Sequence, residues 1–173
     1  MNYIIDAMDY TMATSKRGYL SVVGYIDADY AGDLDKRRST SGYLYTFVGG
    51  AISWFSRLQF CTTLSTTKAE YVAASDACKE AIWLIHLVGD LGIVGEVPVL
   101  HCDSQSAIQL ARNPVFHAKT KHVDVRYHFI KDVLDDKRLH LVKVNTDDNT
   151  ADLLTKTLSL ERFAHCRELM GIG

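Results

Sequence analysis

Proline is scarce. Pro98 and Pro114 are the only two in 173 residues, and neither sits in a stretch that reads as a linker. No internal repeat or low-complexity tract divides the chain, which argues against a solenoid and for one domain. Cysteine is sparse as well. Cys61, Cys78, Cys102 and Cys166 lie far apart with no CxxC pair, the pattern of reduced core thiols in an intracellular protein rather than of a disulfide framework or zinc site. No run approaches the ~20 apolar residues that span a bilayer. The opening MNYIIDAMDY has Asp6 and Asp9 where a secretory signal needs a basic start and an unbroken apolar run. Strong charge of either sign is also missing. Nineteen basic residues against 21 acidic ones give a net charge of −2, which argues against a simple basic sleeve for nucleic acid. The same balance would hide a basic remainder if several acids were gathered around metal ions.

What the chain does have is core material, 47% hydrophobic residues, ample for a single domain of this size. Residues 1–18 lack clear periodicity and read as a lead-in; residues 19–173 read as the folded domain. YLSVVGYID, GYLYTFVGG and AISWFSRLQF are rich in β-branched and aromatic residues and are separated by Gly-containing turns, which predicts an antiparallel meander. A long helix is predicted from about Ser65 to Gly89, with Ala73, Ala77, Ala81, Leu84, Val88 and Leu91 as its inward stripe. VPVLHCD then reads as a strand, SAIQLARN as a short helix, and HVDVRYHFIKDVL as a helix with Val125, Phe129 and Val133 on one side. RLHLVKV is a strand, and two helices are predicted over residues 149–157 and 160–170. A meander followed by alternating elements implies an α/β fold with a mixed sheet and helices on its faces, where sites form at strand ends.

Four acids stand out in that layout. Asp27 interrupts the first strand, Glu70 lies one turn into the long helix, Asp103 ends the fourth strand and Asp152 begins the helix after the fifth. Carboxylates that converge cannot all stay ionised unless cations neutralise them, and hard oxygen ligands select Mg²⁺ or Mn²⁺ over zinc. Each acid also has a plainer reading. Asp27 suits a turn, Glu70 a capping box with Thr67, Asp103 a helix cap and Asp152 an ordinary first-turn acid. His117, His122 and His128 have neither nearby cysteines nor an i, i+4 partner, so zinc is not indicated.

The stretches GYIDADYAGDLDKRRSTSGY, ISWFSRLQ, LSTTKAEYVAASDACKEAIWL, HCDSQSAIQLARNPVFHAKTKHVDVRYHFI and DDNTADLLTK closely resemble the ribonuclease H domain of copia-type LTR retrotransposon polyproteins (Ty1/copia, Pseudoviridae). The resemblance implies a ribonuclease H-like fold with a five-stranded sheet of order 3-2-1-4-5 and helices on both faces. It implies a metal-dependent endoribonuclease that hydrolyses the RNA strand of RNA–DNA hybrids with two Mg²⁺ ions, Mn²⁺ substituting. Asp27, Glu70, Asp103 and Asp152 would be both catalytic residues and metal ligands. By that analogy Asp27 bridges the ions, Asp152 serves the ion that activates water, and Glu70 with Asp103 serves the leaving-group side. Asp29 falls outside this set.

Lys36, Arg37, Arg38, Ser39 and Thr40 are candidates for gripping backbone phosphates, and a solvated loop is their alternative. Ser104 and Gln105 are candidates for sensing 2′-hydroxyls in the minor groove. Lys119, His122 and Arg126 share one helical face that suits a nucleic-acid backbone or plain solvent. The resemblance implies a reverse transcriptase partner that this chain lacks, no membrane association, and a cytoplasmic (including virus-like particle) or nuclear location. The alternative function is a catalytically weak or inactive domesticated fragment that binds nucleic acid or protein. A DNA-cutting nuclease or integrase of the same superfold is a third reading.

The chain departs from the family pattern at a few places. The loop before Asp152 is short and has no histidine, Asn145 and Thr157 stand where proline is frequent, and STTK replaces STTE. A Glu at position 68 would complete a capping box from Ser65, whereas Lys68 puts positive charge at the positive end of the helix. Lys68→Glu is therefore expected to stabilise the protein by a few tenths to ~1 kcal/mol, read as a higher denaturation midpoint.

Overall fold

The computed structural model describes residues 21–112 and 121–172, with side chains described outside 121–127. Strands β1 (Val23–Asp29), β2 (Thr40–Phe47) and β3 (Gly50–Leu58) form the expected meander. Helix α1 (Thr66–Asp90), β4 (Val99–Cys102), α2 (Gln105–Arg112), α3 (Lys121–Asp135) and β5 (His140–Lys143) follow. Two short 3-10 turns, Thr146–Asp148 and Thr150–Leu154, lead to α4 (Leu160–Leu169). The five strands lie in the order β3-β2-β1-β4-β5. β1 pairs antiparallel with β2 and parallel with β4, so the strand direction reverses at β1. That arrangement is the mixed sheet, in the order the family resemblance implies.

The core fills the space between sheet and α1. Ile26, Tyr45, Leu84, Leu100 and Ile130 are fully enclosed, and Ala73, Ala77 and Ala81 let the helix lie close to the strands. Tyr45 reaches across to donate to the Ala77 carbonyl at 2.8 Å. The predicted inward stripe holds through Val88, which is half-buried against the core, and then fails, since Leu91 is exposed. A 25-residue helix runs ~37 Å while the seven-residue β1 runs ~23 Å, so the last turns outrun the sheet. Phe129 and Val133 face the core as expected, while Val125 lies among the side chains not described. Cys78, Cys102 and Cys166 are buried thiols, but Cys61 is exposed in the loop after β3 and is not a core residue.

The expected helix over 149–157 is instead the Thr150–Leu154 3-10 turn. Its entry residue explains the change. Asn149 is fully buried, donates from Nδ2 to the Ile26 carbonyl at 2.9 Å and accepts from the Ala151 N–H at 3.3 Å. Spending the side chain on β1 fixes the chain against the sheet and leaves a tight turn in place of a regular helix. The turn lies on the sheet face opposite α1, over Gly42 of β2. A Cβ at Gly42 would meet Thr155 Cγ2 at 2.7 Å, Leu154 Cβ at 3.0 Å and the Ala151 carbonyl at 3.3 Å. Gly42 pairs directly with Asp27, so this close approach is what sets the turn beside that carboxylate.

Gly42→Ala is expected to cost about 1–3 kcal/mol through overpacking. Gly50→Ala, where a Cβ meets nothing within 4 Å, is expected to change stability by less than ~0.5 kcal/mol. Urea denaturation of the two variants measures the difference.

Candidate active site

The four acids are carried by four different elements, and each is delivered by local chemistry. Asp27 lies within β1, paired with Gly42 of β2, and is 0% exposed, which sets aside the turn reading. Ala28 of β1 packs on Ala69 and Ala73 of α1. These small side chains let the start of the helix approach the end of β1, and Glu70 arrives there 8% exposed. Thr67 bonds the Ser106 hydroxyl, and Ser65 caps the helix by accepting from the Lys68 N–H, so Glu70 is not spent on a capping box with Thr67. Asp103 follows the last residue of β4, and the cap of α2 is Ser104, whose hydroxyl accepts from the Ala107 N–H. Asp152 sits in the 3-10 turn, 1% exposed.

These side chains converge. One carboxylate oxygen from each of Asp27, Asp103 and Asp152 lies within 4.8 Å of the others. Glu70, Cys102 and Asp103 make a second group at the same spacing. Asp103 is thus the residue common to both groups. Cys102 is pushed up to about 12 chiefly by burial and stays a thiol, leaving the carboxylates as the hard donors.

Charge is balanced here from two directions. Burial, then the carboxylates of Asp27 and Asp103, push Glu70 from its ordinary 4.5 to about 9, so it holds a proton at neutral pH. One of its oxygens, Oε2, is buried without a hydrogen-bond partner. Asp152 is also raised by burial and by Asp27, against the pull of Lys156 and Arg162. Those two cations touch the acids directly. Lys156 Nζ lies 2.9 Å from Asp27 Oδ1 and 3.1 Å from Asp152 Oδ1, while Arg162 donates to Asp152 Oδ2 at 2.6 Å. Thr155 donates its hydroxyl to Asp27 Oδ2, and Lys143 donates to the Asp103 carbonyl.

Sequence reasoning missed Asn149, Thr155, Lys156, Arg162 and Lys143. The signal for Lys156 was within reach, because it follows Asp152 by four residues and such pairs meet on one face of a helical turn. The others carry no local signal. Their partners lie on distant elements.

The nucleic-acid candidates fall into three sets. Lys36 and Arg37 are exposed in the β1–β2 loop, with Arg37 in a left-handed backbone conformation at φ 53°. Arg38 is half-buried and paired with Asp33 at 3.5 Å, and Thr40 is half-buried at the start of β2. Ser39 departs from the expectation. It is fully buried, and its hydroxyl accepts from the Ala31 N–H and bonds Thr63, which turns it away from solvent. Ser104 is half-buried and used as a cap, and Gln105 is exposed beside Asp103. Lys119 lies outside the described residues, and His122 and Arg126 lie among the undescribed side chains of α3.

A reversing sheet of this order with acids gathered at the ends of β1 and β4 is the ribonuclease H fold. The chain matches the LC11-RNase H1 crystal structure in complex with RNA/DNA hybrid, with TM-score 0.56 and 18% identity over 78% of this chain and 94% of that one. No family model matches. In sequence it is 53% identical over 149 residues to the retrovirus-related Pol polyprotein from transposon TNT 1-94 of Nicotiana tabacum, covering 86% of this chain and 11% of that protein. It is 37% identical over 173 residues to the Pol polyprotein from transposon RE2 of Arabidopsis thaliana, covering 99% of this chain and 12% of that protein. The chain therefore spans about a tenth of these relatives. Sequence and fold together fit a ribonuclease H domain of a copia-type Pol polyprotein.

The raised Glu70 pKa sets a pH dependence. Between pH 4.5 and about 9 the folded state keeps a proton that the unfolded chain has lost, so metal-free stability falls as pH rises through that window. Urea midpoints measured in EDTA are expected to decline from pH 5 to pH 9 for the wild type and to decline less for Glu70→Gln.

Proposed function

We propose that the chain is a metal-dependent endoribonuclease that hydrolyses the RNA strand of RNA–DNA hybrids. The observation that carries this reading is the convergence of Asp27, Asp103 and Asp152 oxygens within 4.8 Å, with Glu70 adjoining through Asp103. The donor set fits divalent magnesium or manganese: all-oxygen, with Asp27, Glu70 and Asp152 buried and Asp103 half-buried at the edge, and including a Glu70 oxygen with no other partner. Asp27, Glu70, Asp103 and Asp152 would hold two ions. Such ions supply a lowered pKa for the attacking water and charge stabilisation for the leaving 3′ oxygen.

The protein's own residues do the rest. Burial of the carboxylates keeps the patch at low dielectric, where opposite charges attract more strongly. Thr155 and Arg162 hold one oxygen each of Asp27 and Asp152 and so orient their partner oxygens. Glu70 must lose its proton to become a ligand, which ties ion binding to pH. Lys36 and Arg37 extend from the strand end that carries Asp27 and would meet backbone phosphates. Gln105, exposed next to Asp103, would face the minor groove, where 2′-hydroxyls distinguish RNA from DNA. In a Pol polyprotein, reverse transcriptase would share the grip on the hybrid, so the isolated chain is expected to bind substrate weakly.

Labelled RNA–DNA hybrid, RNA duplex and DNA duplex, each with Mg²⁺, Mn²⁺ or EDTA, test the proposal. The expected result is hybrid-selective, EDTA-sensitive cleavage to 5′-phosphate and 3′-hydroxyl ends. Asp27→Asn and Asp103→Asn are each expected to slow it by on the order of 100-fold or more. Binding without cleavage in either metal would instead make the chain a nucleic-acid-binding module.

A further inference from the structure

Each of the two most buried acids has one oxygen committed to a fixed partner and one that is not. Asp27 Oδ2 accepts from Thr155, and Asp152 Oδ2 accepts from Arg162, itself anchored on the Thr146 carbonyl. The remaining oxygens, Asp27 Oδ1 and Asp152 Oδ1, are bridged by a single group, the Lys156 ammonium, at 2.9 and 3.1 Å. A cation spanning two carboxylates through their free oxygens is the arrangement a divalent ion would adopt at roughly 2.0–2.6 Å. The acids are 0% and 1% exposed, but the lysine side chain is 36% exposed, so it reaches in from the surface. Its backbone is fixed separately, by an N–H bond to the Asp152 carbonyl at 2.9 Å. The ammonium can therefore leave by side-chain rotation into water while the turn, Thr155 and Arg162 keep both carboxylates aimed.

We infer that Lys156 is a built-in counter-ion that occupies the place of a divalent cation between Asp27 and Asp152 and must swing out before an ion can bind there. Lys156 in this role is a positioning residue that sets metal affinity and holds the metal-free site together. The inference rests on the reading of the acids as metal ligands. It assigns to the motif lysine of DDNTADLLTK a function distinct from binding nucleic acid.

Two measurements on the full chain test it. In calorimetric titration with Mn²⁺ alone, Lys156→Met and Lys156→Gln are expected to bind on the order of tenfold more tightly than wild type, since a charge-assisted bond no longer has to break. In EDTA both variants are expected to melt at a lower temperature, with the gap closing as Mn²⁺ is added. The second measurement needs no variant. Acylation of Lys156 by an amine-reactive ester, followed by peptide mass spectrometry, is expected to rise several-fold when Mn²⁺ is added to wild type. Unchanged or reduced labelling overturns the inference, as does equal or weaker Mn²⁺ binding by the variants. If all three proteins bind Mn²⁺ alike, the inference falls and the metal-site reading stands; if none binds Mn²⁺, both fall.

Discussion

Four acids, three of them buried and Asp103 half-buried, crowd one end of the sheet, and the groups around them answer the repulsion their charges would create. Water screens such charges poorly once they are buried, so the protein either withholds the charge or cancels it. It does both. Glu70 keeps its proton, while Lys156 and Arg162 bring positive charge against Asp27 and Asp152. The energetic cost of gathering the acids is offset locally, and it is a cost that a protein without use for the patch has no reason to carry. In the proposed metal site, the balancing groups, a proton on Glu70 and the Lys156 ammonium, are the ones that a divalent ion would replace.

The scaffold brings the acids together by close approaches rather than by strong bonds. Ala28, Ala69 and Ala73 remove side-chain bulk between β1 and the start of α1, and Gly42 removes it between β2 and the turn that carries Asp152. Asn149 then ties that turn to the backbone of β1, one residue before Asp27. The parallel pairing of β1 with β4 puts Cys102 opposite Ile26, and Asp103 therefore emerges beside Asp27. Small residues, one buried amide and a strand register together fix a geometry that no single element could hold.

Much of this was legible in the sequence. β-branched and aromatic runs between Gly-containing turns marked the meander, the alanine stripe marked the long helix, and the family resemblance carried by the motifs around Asp27, Glu70, Asp103 and Asp152 implied the strand order later observed. The failures have physical causes. The helix expected over 149–157 became a 3-10 turn whose entry residue, Asn149, ties it to β1 through Nδ2 while Oδ1 caps the Ala151 N–H. Ser39 reads as a polar loop residue beside three cations, yet Thr63 and the Ala31 N–H draw it inward. Leu91 continues the inward periodicity of α1 past the point where the sheet ends.

By itself the sequence determined which residues are chemically able to act and, outside 149–157, which of the described segments become strands and helices, because period, propensity and residue type are local properties. Only the tertiary structure decided that Lys156 would bridge Asp27 and Asp152, that Asp103 would belong to both groups of donors, and that Ser39 would turn away from solvent. Asp27 and Thr155 are 128 residues apart, and no pattern along the chain encodes which carboxylate oxygen a distant hydroxyl will claim. That choice depends on strand register and on a turn seated over a glycine, which exist only once the sheet has formed.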